Sequence, residues 1–213
     1  MRTKTLIAAA AILAVSLATT VAQTNVYSQN VVGYINVTVT NLAMVANQLD
    51  YDGTGTNNTV QTVLGTNVPI NTKVYVYSGG TFLQAVYGTK GWSGVNDTIN
   101  SGMDPGKGFF IQVPSPTTVT IVGNVLQGSL QNPYIAGINL ISSMVPQAGG
   151  VQTVLGYSPV VNDKVYRYTP AGYVQSVYGT KGWAGGEPTL NVAESFWLQA
   201  VSAGTWTRNF TVQ

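Results

Sequence analysis

The chain has no cysteine and no histidine, and charge is scarce: 8% of its 213 residues are Asp, Glu, Lys or Arg, where an average protein has about 25%. Each shortage excludes something. Without cysteine there are no disulfides and no lipid attachment through an N-terminal Cys, so an exported form of this chain must be held by its core alone. Without histidine, the Ser-His-Asp and Cys-His arrangements and every His-containing zinc site are absent. Disorder through excess charge is also excluded, because 45% of the residues are hydrophobic. What the chain does contain is Thr, Asn, Ser, Gly and Val, residues that suit half-buried strands and the turns between them.

The first residues follow a different pattern. Met1-Arg2-Thr3-Lys4-Thr5 is a positive start, Leu6 to Ala18 is an apolar run, and Thr20-Val21-Ala22 ends in small residues. This is the layout of a secretory signal peptide, and the apolar run is shorter than the roughly 20 residues a spanning helix needs. The expectation is a cleaved signal over residues 1–22, a secreted product (extracellular, cell-surface or periplasmic), and no membrane span after processing. Arg2 and Lys4 leave with the signal, so nine basic residues become seven, against seven acidic ones. The whole-chain pI near 8.8 therefore gives no warrant for a nucleic-acid or anionic-membrane partner, either of which needs clustered Lys and Arg.

The rest of the chain is written twice. Val86-Tyr87-Gly88-Thr89-Lys90-Gly91-Trp92 returns unchanged at Val177–Trp183, Val60–Gly65 returns as Val151–Gly156, and Lys73-Val74-Tyr75-Val76-Tyr77 returns as Lys164-Val165-Tyr166-Arg167-Tyr168, all at an offset of 91. Further on the offset is 87: Gly108–Val113 matches Ser195–Ala200. Such agreement marks a tandem duplication. Length differences fall in the Gly-, Asn-, Asp- and Ser-rich stretches 50–59 and 93–102, which read as surface loops. The predicted modules are residues 23–125 and 126–213.

Within each copy, alternation at period two in Tyr34–Val39, Lys73–Tyr77 and Thr118–Val122 predicts strands with one face on a core and one in water. Asn58 and Thr59 ahead of Val60–Leu64, with Gly65 following, predict one capped helical turn, whose mate is Val151–Leu155. The fold class expected is all-β: two homologous small sandwich or barrel modules, each with one short helical turn.

Three segments are candidates for chemistry. The repeated turns bring Tyr87, Lys90 and Trp92, and Tyr178, Lys181 and Trp183, into one motif. Their rings suit a polysaccharide, with the lysines beside them for hydroxyl or acidic groups; equally, the tryptophans suit the covering of an open barrel end. Asp50, Asp52 and Thr54, with Gly55 at the sixth position, resemble the start of a calcium loop, although position twelve is Gln61 where a bidentate Glu belongs. Calcium is the one cofactor the sequence suggests. Gly102–Gly108 resembles a phosphate loop, but its spacing is one residue short and no Ser or Thr follows the Lys. Its Asp104-Pro105-Gly106 is a tight-turn signature. No carboxylate recurs between copies, whereas a glycosidase needs a pair. Asp97 with Asp104, or Glu187 with Glu194, would supply one in a single copy only.

Val26–Tyr34, the Lys-Val-Tyr strand, the Gly-Trp turn and the Gly-Lys-Gly-Phe-Phe strand together resemble a group of exported two-repeat proteins from Gram-negative bacteria of the verrucomicrobial kind. The likeness runs over nearly all of the mature chain, and the second copy departs from it at Ala193-Glu194-Ser195. It implies export and an all-β fold, and it brings no activity with it. The expected function is a secreted, non-enzymatic structural or adhesive module at the cell surface or in the extracellular matrix, self-associating through strand edges. Carbohydrate binding by the repeated turns is the alternative, and a glycan-active enzyme using a carboxylate pair is the third reading.

Overall fold

The computed structural model describes residues 31–94 and 102–212. The predicted signal peptide, residues 1–22, and Asp97 lie outside the described residues. The first half comprises β1 (Val32–Val39), β2 (Leu42–Ala46), α1 (Val60–Leu64), β3 (Lys73–Ser78), β4 (Thr81–Gly88), β5 (Gly91–Gly94), β6 (Gly108–Gln112) and β7 (Thr117–Asn124). The second comprises β8 (Gly128–Tyr134), β9 (Gly137–Ile141), β10 (Gly149–Gly150), β11 (Lys164–Thr169), β12 (Gly172–Gly179), β13 (Gly182–Trp183), β14 (Thr189–Leu190), β15 (Phe196–Ala200) and β16 (Gly204–Phe210).

The two halves share one topology. Each has a five-stranded antiparallel sheet, β2-β6-β3-β4-β5 in the first and β9-β15-β11-β12-β13 in the second, and in each the first and last long strands pair as a ribbon, β1-β7 and β8-β16. The protein is therefore all-β and built of two similar modules. The chain entering at β1 completes its own half, in register from Val32 opposite Asn124 to Val39 opposite Thr117.

Period two explains each core. β1 turns Ile35 and Val39 inward and β7 turns Val119 and Ile121 inward, onto Val74, Ala85, Phe109 and Ile111 of the sheet and Val60 and Leu64 of α1. The second core repeats the plan with Val165, Phe196, Leu198, Leu155 and Trp206. The outward row of the first ribbon is polar at one end, where Thr120 Oγ1 donates to Asn36 Oδ1 at 2.8 Å.

α1 starts at a reciprocal cap: Thr62 N donates to Thr59 Oγ1 at 3.0 Å and Thr59 N to Thr62 Oγ1 at 2.9 Å, and Gly65 closes the turn with φ 58°. In the second half Gly150 stands where Thr59 does and has no oxygen to offer. Val151–Leu155 forms hydrogen-bonded turns, with Leu155 N on Gly150 O at 2.9 Å, and the cap comes from a distant residue. Glu187 Oε1 accepts from Gln152 N at 2.5 Å and Thr153 N at 2.7 Å, and Oε2 accepts from Thr153 Oγ1 at 2.8 Å.

Burial pushes the Glu187 carboxyl up, but the bonds from Thr153 and Gln152 outweigh it and hold it below the usual carboxylate range. A folded-state pKa below the unfolded one contributes stability above the ordinary Glu value, and that contribution is lost as pH falls through the lower folded value. The melting temperature of the native chain should exceed that of Glu187→Gln near neutrality, and the gap should close below about pH 4. A gap independent of pH would remove the cap from this role.

The halves meet as reciprocal partners. Residue 45 bridges to residue 194 and residue 141 bridges to residue 107; Val45 corresponds to Ile141, and Glu194 to Lys107. Ala46 N donates to Ala193 O at 2.8 Å, and its counterpart Ser142 N donates to Gly106 O at 2.9 Å. Tyr77 meets Trp197 edge-on at 4.9 Å, and the equivalent Tyr168 meets Phe110 at 6.1 Å. Such i-to-j, j-to-i pairing is that of an isologous, two-fold interface, formed here within one chain.

This interface changes the expectation for β3. Tyr75 and Tyr77, on the face that alternation assigns to water, pack with Tyr168 and Trp197 around buried Met44, Phe110 and Leu140. Each sheet thus covers its own core with one face and meets the other half with part of the second.

Candidate functional site

The repeated turns are hairpins. Gly88 pairs with Gly91 and Tyr87 with Trp92 across β4 and β5, so Thr89 and Lys90 form the tip, and Gly91 takes the positive φ of 95° needed to rejoin the strand. β12 and β13 repeat this, with Tyr178 opposite Trp183. Each Tyr–Trp pair is in ring contact at 5.2 Å. Trp92 packs on the first core and Trp183 on the second, both half-buried, and both indole N–H groups turn inward: Trp92 Nε1 donates to Gly65 O at 2.8 Å and Trp183 Nε1 to Gln152 Oε1 at 3.1 Å. The tyrosine backbones hold the preceding turn, since Asn71 N donates to Tyr87 O and Asn162 N to Tyr178 O, each at 2.7 Å. Lys90 and Lys181 are exposed at the tips. The motif therefore gathers all six residues in two like groups, with the indole N–H groups directed into the fold.

Asp50, Asp52 and Thr54 share a loop but differ in setting: Asp50 is buried, and Asp52 and Thr54 are exposed. Asp50 Oδ1 accepts from Asn58 Nδ2 at 2.8 Å and Oδ2 from Gly55 N at 2.9 Å. Asp52 Oδ1 accepts from Thr54 N at 3.0 Å and Thr54 Oγ1 at 2.7 Å, and Oδ2 accepts from Asn57 Nδ2. The bonds from Asn57 and Thr54 lower the Asp52 carboxyl. All four carboxylate oxygens thus already have internal donors, and among the described residues no three His, Cys, Asp or Glu side chains gather as metal ligands.

The other described acids serve local contacts. Glu187 caps a turn, while Glu194 forks onto Arg167 at 2.6 and 3.0 Å and takes Asn191 N at 2.9 Å. Asp104-Pro105-Gly106 is a turn, with Lys107 N on Asp104 O at 2.9 Å and φ 89° at Gly106. Its mate at 191–194 has Ala193 at φ 59°.

The reciprocal interface leaves a groove on each side. One, about 660 Å³, is lined by Val76, Tyr77, Leu83, Asp104, Lys107 and Ile138 among others. The other, about 400 Å³, holds the Arg167–Glu194 pair. Val76 stands at the position of Arg167, and Lys107 at that of Glu194. Asp104 is open to solvent at the lip of the first groove, yet the surrounding protein still pushes its carboxyl up, partly offset by the Lys107 charge; burial pushes the Lys107 ammonium down, partly offset by Asp104. Sequence reading passed over this groove because its walls come from both copies. The signal available was the Lys107-to-Glu194 exchange at matched positions. Among the described residues no helix is long and apolar enough to cross a membrane. No family model, curated protein or solved structure matches the chain.

Proposed function

We propose that the chain is a secreted, non-enzymatic structural or adhesive module of the cell surface or extracellular matrix. The observation that carries this reading is the use made of the duplicated letters: in both copies the Tyr–Trp pair closes the module and bonds inward, so what duplication kept is architecture. The signal-like start, the balanced charge of the mature chain and the resemblance to exported repeat proteins support it. β5 and β13 end their sheets, and terminal strands of this kind pair with further copies. Antibody against the mature chain should label intact cells or their matrix, and sedimentation of purified protein should show association rising with concentration. Label confined to the cytoplasm would overturn the location; a monomer at every concentration would remove self-assembly.

A second reading, carbohydrate binding, rests on one specific feature: Trp92 and Trp183 are only half-buried, beside exposed Lys90 and Lys181. The two readings separate by mutation. Under the structural reading, Trp92→Ala and Trp183→Ala each cost about 2–3 kcal/mol of stability, below the full burial cost because part of the ring is already wet. Lys90→Ala/Lys181→Ala leaves the packing alone and should change nothing on a glycan array. Glycan binding by the native chain that disappears in the lysine double variant would install the second reading.

A further inference from the structure

On the open side of the interface, Lys107 Nζ of the first half lies 3.5 Å from Asn132 Oδ1 of the second. Asn132 is 2% exposed. Its amide orientation is fixed by the fold, because Nδ2 donates to Gly106 O at 2.9 Å and Ser142 O at 3.1 Å, which spends both N–H groups and leaves Oδ1 toward the lysine. The close approach depends on Gly106, where a Cβ would come within 2.6 Å of Asn132 Nδ2. The lysine amine is thus held against the carbonyl oxygen of a side-chain amide whose orientation is fixed, the kind of positioning that favours reaction between two groups.

The repeated architecture does not demand either residue. Lys107 corresponds to Glu194, and, from the matched ribbon registers, Asn132 corresponds to Val37. The reciprocal side of the interface is tied by the Arg167–Glu194 fork, and the chain has no cysteine with which to tie the halves covalently.

We propose that Lys107 and Asn132 form an intramolecular isopeptide bond joining the two halves. The Nζ lone pair of the neutral amine adds to Asn132 Cγ, the Cγ–Nδ2 bond breaks, and Nδ2 leaves as ammonia after one proton passes to it from Nζ. The product is a secondary amide. No oxidant or cofactor enters, and nothing is reduced. Burial eases the required loss of charge, since it pushes the Lys107 ammonium down, partly offset by Asp104.

Intact-mass measurement of the purified mature chain, after prolonged incubation in the folded state, tests this. The native chain should fall about 17 Da below its sequence mass, the ammonia lost, and digestion should yield one branched peptide containing Lys107 and Asn132. Lys107→Arg should abolish that loss, standing about 17 Da closer to its own sequence mass than the native chain does, and lower the denaturant midpoint. A native chain at full sequence mass would overturn the proposal. So would an equal loss in the native chain and in Lys107→Arg, because that is cyclisation of the N-terminal Gln23 left by signal cleavage or a succinimide at some asparagine. If Lys107→Arg fails to fold, the branched peptide decides alone: its presence supports the bond and its absence overturns it.

Discussion

Asp163→Ala is expected to lower the unfolding free energy by about 3–5 kcal/mol. Asp163 is 1% exposed. Its Oδ2 accepts from Tyr157 OH at 2.7 Å and Val160 N at 2.8 Å, and its Oδ1 accepts from Val201 N at 2.8 Å. Truncation strands the two backbone donors and takes the Asp163 acceptor from Tyr157, itself 1% exposed, whose hydroxyl is then left with the Tyr134 side chain. Burial and the Asp163 bond both push the Tyr157 phenol far above its usual range, so it stays a donor throughout the working pH range.

The first copy shows why this cluster behaves as a unit. There Thr72 replaces Asp163, Thr66 replaces Tyr157, and Pro69 and Pro114 replace Val160 and Val201. Proline has no N–H. Both backbone donors vanish together with the acceptor, Thr66 keeps a hydroxyl but is exposed, and Thr72 Oγ1 is left buried without a partner. Introducing the acceptor alone, as Thr72→Asp, should therefore destabilise as well, because a carboxylate would be buried with none of these donors. Urea unfolding of the two variants measures both effects. A loss under about 1 kcal/mol for Asp163→Ala would mean that water replaces the carboxylate at little cost.

This contrast also marks what could be read from sequence. The duplication, the all-β class, the strand positions and the helical turn at Val60–Leu64 were legible because each is encoded locally, by period-two alternation or by a cap within three residues. Glu187 was not, because it caps a turn from 34 and 35 residues away, where no local spacing rule applies. The same holds for Tyr75 and Tyr77. Alternation says that they leave their own core, but a tyrosine is at home both in water and in an interface, and only the fold brings Trp197 to Tyr77. The candidate site was half legible: repetition singled out Tyr87, Lys90 and Trp92 and their mates, while the inward bonds of the indoles depend on Gly65 and Gln152, loop neighbours assembled by the turn.

Phe110→Ala combined with Trp197→Ala is expected to break the cooperativity between the halves. These residues hold matched places in the two copies and lie 6.1 Å apart across the interface, where Trp197 also meets Tyr77 and Phe110 meets Tyr168. Phe110→Ala should cost about 3–4 kcal/mol, since the ring is 7% exposed, and Trp197→Ala about 2–3 kcal/mol, since its ring is half-buried. The double variant should lose less than the sum, because the two rings share partners and each single truncation already loosens the other. What then remains between the halves is Met44, Leu140 and the tyrosines around them, without their two largest rings, and hydrogen bonds: the pairs made by Ala46 and Ser142, the buried Gln48 amide between Ser142 Oγ and Ala193 N, and Asn132 Nδ2 on Gly106 O. Neutral bonds of this kind contribute about 0.5–1.5 kcal/mol each, net of the bonds to water they replace. Each module keeps its own core, so the halves should unfold in separate steps. Calorimetry of the native chain should give one transition and the double variant two. A single transition with additive losses would place the coupling in the polar bridges, or in a Lys107–Asn132 bond that Lys107→Arg would then expose.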